Sequence, residues 1–152
     1  VGILLAAQTA GSLASNPVWG RMGDRRGKLK LLQSVGVLRI VPPLGVLTIL
    51  MADGVSADNI IWSFAALFFA VGVLANGMTI GYLGYLMEIS PDDRRPAYSA
   101  YFNTLASPAA LLPLVGAMIT DVLSLNAVFM VAMIAAILQL YLYKRLARLE
   151  GG

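Results

Sequence analysis

Five mostly apolar stretches follow one another along this chain, at residues 1–18, 31–51, 60–86, 97–120 and 125–143. Each is close to the roughly 20 residues that an α-helix needs to cross a bilayer. In lipid every backbone N–H and C=O must find its partner inside the segment, so a run of this kind has one stable form, the helix. Charged residues make up 12% of the chain and hydrophobic residues 59%, whereas a soluble domain carries about a quarter charged residues. The expected fold class is therefore all-α: a polytopic membrane protein, a single domain of about five transmembrane helices.

The connectors orient these helices. Arg21, Arg25, Arg26, Lys28 and Lys30 lie between the first two runs, Arg94 and Arg95 between the third and fourth, and Lys144, Arg145 and Arg148 after the last. The alternate connectors and ends hold Asp53, Asp58 and Asp121 and no Lys or Arg. Basic residues stay on the cytoplasmic side of short loops, which places the start of the chain outside and its tail in the cytoplasm. A bacterial inner membrane is the expected location. Ten of the 11 basic residues behind the net charge of +3 lie in these clusters, without an aromatic-rich polar surface to read bases, so nucleic acid is not an expected partner.

With no Cys and no His, the chain lacks a thiolate metal site, a disulfide and the commonest general base. No cofactor or metal is expected, and a membrane enzyme has little to work with. The first residues, Val1 to Ala7, have neither an initiator Met nor a positive leader segment. They read as the interior of a longer polypeptide.

Within the runs a few residues stand out. Ala7, Gly11 and Ser15 form a small-residue stripe that admits a close neighbour. Gln8 and Asn16 either belong to that packing face or line a solute path, and Asn16-Pro17 is expected to end or kink the helix. Arg39 lies deep in the second run, roughly 13 Å along a helix from Lys30 at 1.5 Å per residue. At that depth it needs a partner in the bundle or a water-filled cavity, and Pro42-Pro43 should kink the helix beside it. Gly77 and Gly81 make a GxxxG pair in the third run. Asn76 between the glycines either faces a cavity or bonds another helix. Asn103 is a further polar residue in the fourth run, which Pro108 and Pro113 should bend. Ser90 is placed to cap a turn that begins at Pro91.

The most specific stretch is Gly20-Arg21-Met22-Gly23-Asp24-Arg25-Arg26-Gly27-Lys28-Leu29-Lys30-Leu31-Leu32, a basic loop broken by glycines. It resembles the signature loop of the major facilitator superfamily, roughly G-x-L-A-D-R-x-G-R-[KR]-x-x-L. Gly20, Asp24, Arg25, Gly27, Lys28 and Leu32 match; Met22 and Gly23 stand where Leu and Ala are usual, and Lys30 comes one place late. The resemblance implies a secondary transporter of twelve helices in two halves that moves a small-molecule substrate by alternating access, with efflux the expected direction. Five spans could be helices two to six or eight to twelve. The third run lacks the intramembrane Arg typical of helix four, and Ser107 to Gly116 looks more like helix eleven, so helices eight to twelve are expected, with the N-terminal half as a partner. In that family the loop helps hold the cytoplasmic side shut. Its counterpart here would be a gate of Gly20, Asp24, Arg25, Gly27, Lys28 and Glu88, in which Asp24, Arg25 and Glu88 form pairs that break in the other state. Helix nine of the fold usually lies outside the central cavity, which favours a structural ion pair or snorkelling for Arg39 over the alternative, a direct substrate or coupling role. The alternative function is a non-transporting membrane protein of the same fold, in an assembly or receptor role.

Overall fold

A computed structural model describes residues 1–51 and 56–150. Seven α-helices fill it: α1 (Gly2–Arg26), α2 (Lys28–Leu38), α3 (Val41–Met51), α4 (Ala57–Ile89), α5 (Arg95–Ala106), α6 (Leu112–Val122) and α7 (Leu125–Glu150). There is no strand among the described residues. Asp53, expected in the connector before α4, lies outside the described residues. Among the described residues four segments are long and apolar enough to cross a membrane: Lys28–Met51, Asp58–Ile89, Asp92–Val122 and Leu125–Leu149. The chain is thus an all-α polytopic membrane protein. The expected first span is not among the four, because α1 carries Gln8, Ser12, Ser15 and Asn16 along its length.

Those polar residues explain where α1 sits. It packs along α4, the helix that also receives α2 and α3. Ser12 Oγ donates to the Gly72 carbonyl at 3.0 Å, and Asn76 Nδ2 donates to Ser12 O, Ser15 Oγ and Asn16 Oδ1 at 3.0–3.3 Å. A polar stripe is tolerable in lipid when it faces a neighbour that satisfies it. Close approach depends on glycine at the crossing. A Cβ on Gly72 would collide with the Gln8 carbonyl, and one on Gly11 with that of Phe69.

Two breaks differ from expectation. Asn16-Pro17 does not end α1, which runs on for nine residues past Pro17 to Arg26. Proline removes one backbone bond, but packing against α4 on both sides of that turn holds the axis: Asn76 bonds the turn before it, and Trp19 Nε1 donates to Val73 O at 2.8 Å after it. The expected loop at Gly20–Leu32 accordingly shrinks to one residue. Gly27 has φ +86° and separates α1 from α2, whereas Gly20 and Gly23 are helical. Only glycine adopts that conformation without strain.

The second span breaks at Arg39-Ile40 rather than at the prolines themselves. Pro42 and Pro43 have no N–H to bond back, so they sit in the first turn of α3, where none is needed. The fourth span is interrupted by a 3-10 segment, Ser107–Leu111, which has Pro108 in its first turn and is followed by Pro113 in the first turn of α6. Ser90 does not cap the following turn: it closes α4, and its hydroxyl donates back to the Leu86 carbonyl. Nor does the last helix stop at Tyr143; α7 continues to Glu150.

The buried core is small and lies where α1, α2 and α4 meet. Trp19, Leu31, Val35 and Leu74 form it. Gly77 and Gly81 of α4 provide the floor, with Trp19 and Val35 against the first and Leu31 and Leu32 against the second. The GxxxG pair therefore makes the close contact that its spacing implies.

Candidate functional site

Two features could carry function, one at the end of the bundle where α1 turns into α2 and one at mid-span. At the turn, Lys28 Nζ lies 3.0 Å from Asp24 Oδ1, bridging the Gly27 break. Asp24 is 76% exposed while the Lys28 side chain is 18% exposed, because its methylenes lie on Gly84 and Gly23. A long cationic side chain can cover apolar surface in this way and still present its charge to water. The pair therefore fastens the α1–α2 turn to α4 by packing more than by charge, since an exposed ion pair contributes at most about 1 kcal/mol.

The sequence expectation had Asp24 and Arg25 paired with Glu88. In this structure Asp24 is taken by Lys28, and among the described residues neither Arg25 nor Glu88 forms an ion pair. The acids of the following connector are also used locally, Asp92 with Arg95 at 2.7 Å and Asp93 with Arg94 at 3.5 Å. Yet Glu88 is brought close. It shares a recess of about 360 Å³ with Arg26, Gly27, Lys28 and Lys30. Gly20 lies on the helical part of the motif with nothing within 4 Å of where a Cβ would be.

At mid-span a larger cavity of about 980 Å³ is lined by α2, α3, α4, α6 and α7. Most of its wall is Val, Leu, Ile and Ala; Arg39, Thr79, Tyr82 and Gln139 supply the polar groups. Arg39 stands at the break between α2 and α3 and donates from Nη1 to Gln139 Oε1 at 2.9 Å. Gln139 Nε2 donates to Tyr143 Oη at 2.9 Å, and that hydroxyl donates to Met78 Sδ at 3.6 Å. The chain of donors fixes which end of the Gln139 amide faces the guanidinium. Tyr143 is turned inward against Gly36.

The other candidates scatter. Asn76 faces α1 and does not line the cavity. Gln8 is half-buried at the α1–α4 crossing, where its backbone meets Gly72. Asn103 is exposed on α5. Sequence reasoning missed Gln139 as the partner of Arg39. A depth match was available: Arg39 is the twelfth of the 24 residues of its span, and Gln139 is the fifteenth of the 25 in Leu125–Leu149. No group of three or more acids able to hold a metal occurs among the described residues.

No curated protein and no solved structure matches this chain. A helical membrane bundle with a glycine-broken basic turn at one end does have a family counterpart: the family model of the Major Facilitator Superfamily matches residues 1–150. That match spans nearly the whole sequence, and the chain belongs to this superfamily of membrane transporters.

Proposed function

We propose that this chain forms helices eight to twelve of a facilitator transporter that exports a small solute across a bacterial inner membrane by alternating access. The start of the chain lies outside, and the Gly20–Leu32 turn lies on the cytoplasmic face as part of the inner gate. The observation that carries the proposal is the construction of that turn. Gly27 allows a one-residue reversal, Lys28 clamps it to Gly84 of α4, and Glu88 lines the recess beside it. A carboxylate in a recess with three cations, Arg26, Lys28 and Lys30, beside a one-residue glycine turn, can exchange partners when one half of the bundle rocks against the other. Asp24 would release Lys28 in one state, and Glu88 would then take a cation of the turn.

The test is transport by the full-length protein bearing Asp24→Asn. Because the Asp24–Lys28 pair is exposed, the substitution should change stability by no more than about 1 kcal/mol. The expected result is normal surface abundance with export reduced up to about fivefold, the size of effect that losing an exposed ion pair of at most about 1 kcal/mol in one state of the gate produces. Unchanged export at normal abundance would remove Asp24 from the gate.

A further inference from the structure

We infer that the mid-span cavity is a binding site for a lipophilic monoanion, whose charged group meets Arg39 and whose apolar body lies along α4, α6 and α7. The inference goes beyond the transport proposal, because the site lies inside the helices of this chain and away from the α1–α2 turn.

Arg39 is the starting point. It lies eleven residues from Lys28 and twelve from Met51, at the centre of its span, about 17 Å from either end at 1.5 Å per residue. A cation at that depth costs several kcal/mol unless it is compensated. Its partner is the neutral amide of Gln139, which occupies one N–H at 2.9 Å. A guanidinium has five such donors in a planar fork. Among the described residues no carboxylate lies within ion-pair distance of it.

Sequence position extends that point to the whole chain. The eight acids are Asp24, Asp53, Asp58, Glu88, Asp92, Asp93, Asp121 and Glu150. Every one falls at an end of a span or outside it. Among the described residues the charge is therefore uncompensated at its own depth. The side chain is also exposed, and it lines a cavity of about 980 Å³.

The rest of the wall selects the ligand. Leu74, Val115, Ile119, Val128 and Val131 are apolar and suit an aliphatic or aromatic body. Tyr82 of α4 adds a hydroxyl to the same wall, which can bond a remaining oxygen of the anion, whereas the Thr79 hydroxyl is already donated to the Ala75 carbonyl at 3.0 Å. One cation without a nearby acid repels a cationic amphiphile and gives a neutral one no charge to meet. In a low-dielectric site the attraction for an anion is far stronger than in water. A carboxylate or phosphate matches the guanidinium fork with two parallel hydrogen bonds. Such an anion could enter as a free lipophilic acid or as the headgroup of an anionic lipid.

The test uses full-length protein in nanodiscs of zwitterionic lipid, with labelled decanoate as the probe. Decanoate is expected to bind saturably, with decanol and decyltrimethylammonium failing to displace it. Arg39→Gln should weaken binding roughly tenfold or more, as expected for loss of charged hydrogen bonds, and Arg39→Lys should weaken it less. Val131→Trp keeps the cation and fills the cavity, so it should abolish binding in a protein that still carries Arg39. Displacement by phosphatidylglycerol would identify a resident lipid, and its absence a free acid; both agree with the inference. Lack of saturable binding to the native protein would overturn it, because the cavity would then be filled or the cation neutralised from outside this chain. Equal binding by folded Arg39→Gln would overturn it as well. Decanoate binding is read without transport, so either proposal can fail alone.

Discussion

Gly72→Val is expected to prevent the bundle from closing. The added Cβ would overlap the Gln8 carbonyl, a backbone group that cannot turn aside as a side-chain tip can. Relief requires α1 to move off α4. That shift would lengthen the Ser12 bond to Gly72 O, the three Asn76 bonds and the Trp19 bond to Val73 O together. Overpacking usually costs 1–3 kcal/mol, and the loss of coupled contacts places this case at about 3 kcal/mol or more. The thermal midpoint in detergent should fall sharply, or no folded protein should be recovered. Gly20→Ala is the control. It lies in α1, the helix that Gly72 meets, with open space around it and gains up to about 1 kcal/mol of helix propensity. It should be neutral or slightly stabilising, and similar losses from both substitutions would contradict the crossing.

Trp19→Ala should have the next largest effect on stability. The indole is 5% exposed, packs with Leu31, Val35 and Leu74, and fills the space over Gly77. Truncating a buried aromatic ring to Ala costs about 3–5 kcal/mol through lost contacts and the cavity left behind. In membranes the driving force between helices is packing rather than water release, so the cavity matters more than the transfer of the ring. Trp19→Phe keeps most of the volume and loses the 2.8 Å bond to Val73 O. About 1 kcal/mol is then expected. Reversible unfolding in mixed detergent should rank native, Phe and Ala in that order. Ala and Phe variants of equal stability would show that the indole does not fill the α1–α4 junction.

Much of this fold was legible in the sequence because lipid leaves a chain few choices. The four spanning segments follow directly from apolar runs and their charged ends. The GxxxG pair at Gly77 and Gly81 likewise foretold a close contact, since small residues at that spacing have few other uses in a span. What failed was local. Proline rules describe the backbone bond that is lost, but they are blind to a neighbour that grips the helix on both sides, so Pro17 was given too much weight. Treating Gly20–Leu32 as a loop also hid the Asp24–Lys28 pair, whose i,i+4 spacing is a helical signal. Burial does not follow from period alone either. Ser12, Ser15 and Asn16 meet Asn76 some 60 residues away, and Arg39 meets Gln139 across 100 residues. Such pairings are set by which helices become neighbours, and hydrophobic periodicity is silent on that. Depth along each span was the remaining clue for Arg39.

The proposed gate depends on the basic turn facing the cytoplasm. The absence of Cys from the sequence allows single-cysteine labelling of the full-length protein once any other thiols have been removed. Ser56, at the start of α4, and Asp93, in the connector after it, are both exposed and lie at opposite ends of the same 33-residue helix. With an impermeant maleimide added to intact cells, Ser56→Cys should react and Asp93→Cys should react only after the membrane is opened. Labelling of Asp93→Cys in intact cells, with Ser56→Cys protected, would invert the topology and contradict the gate.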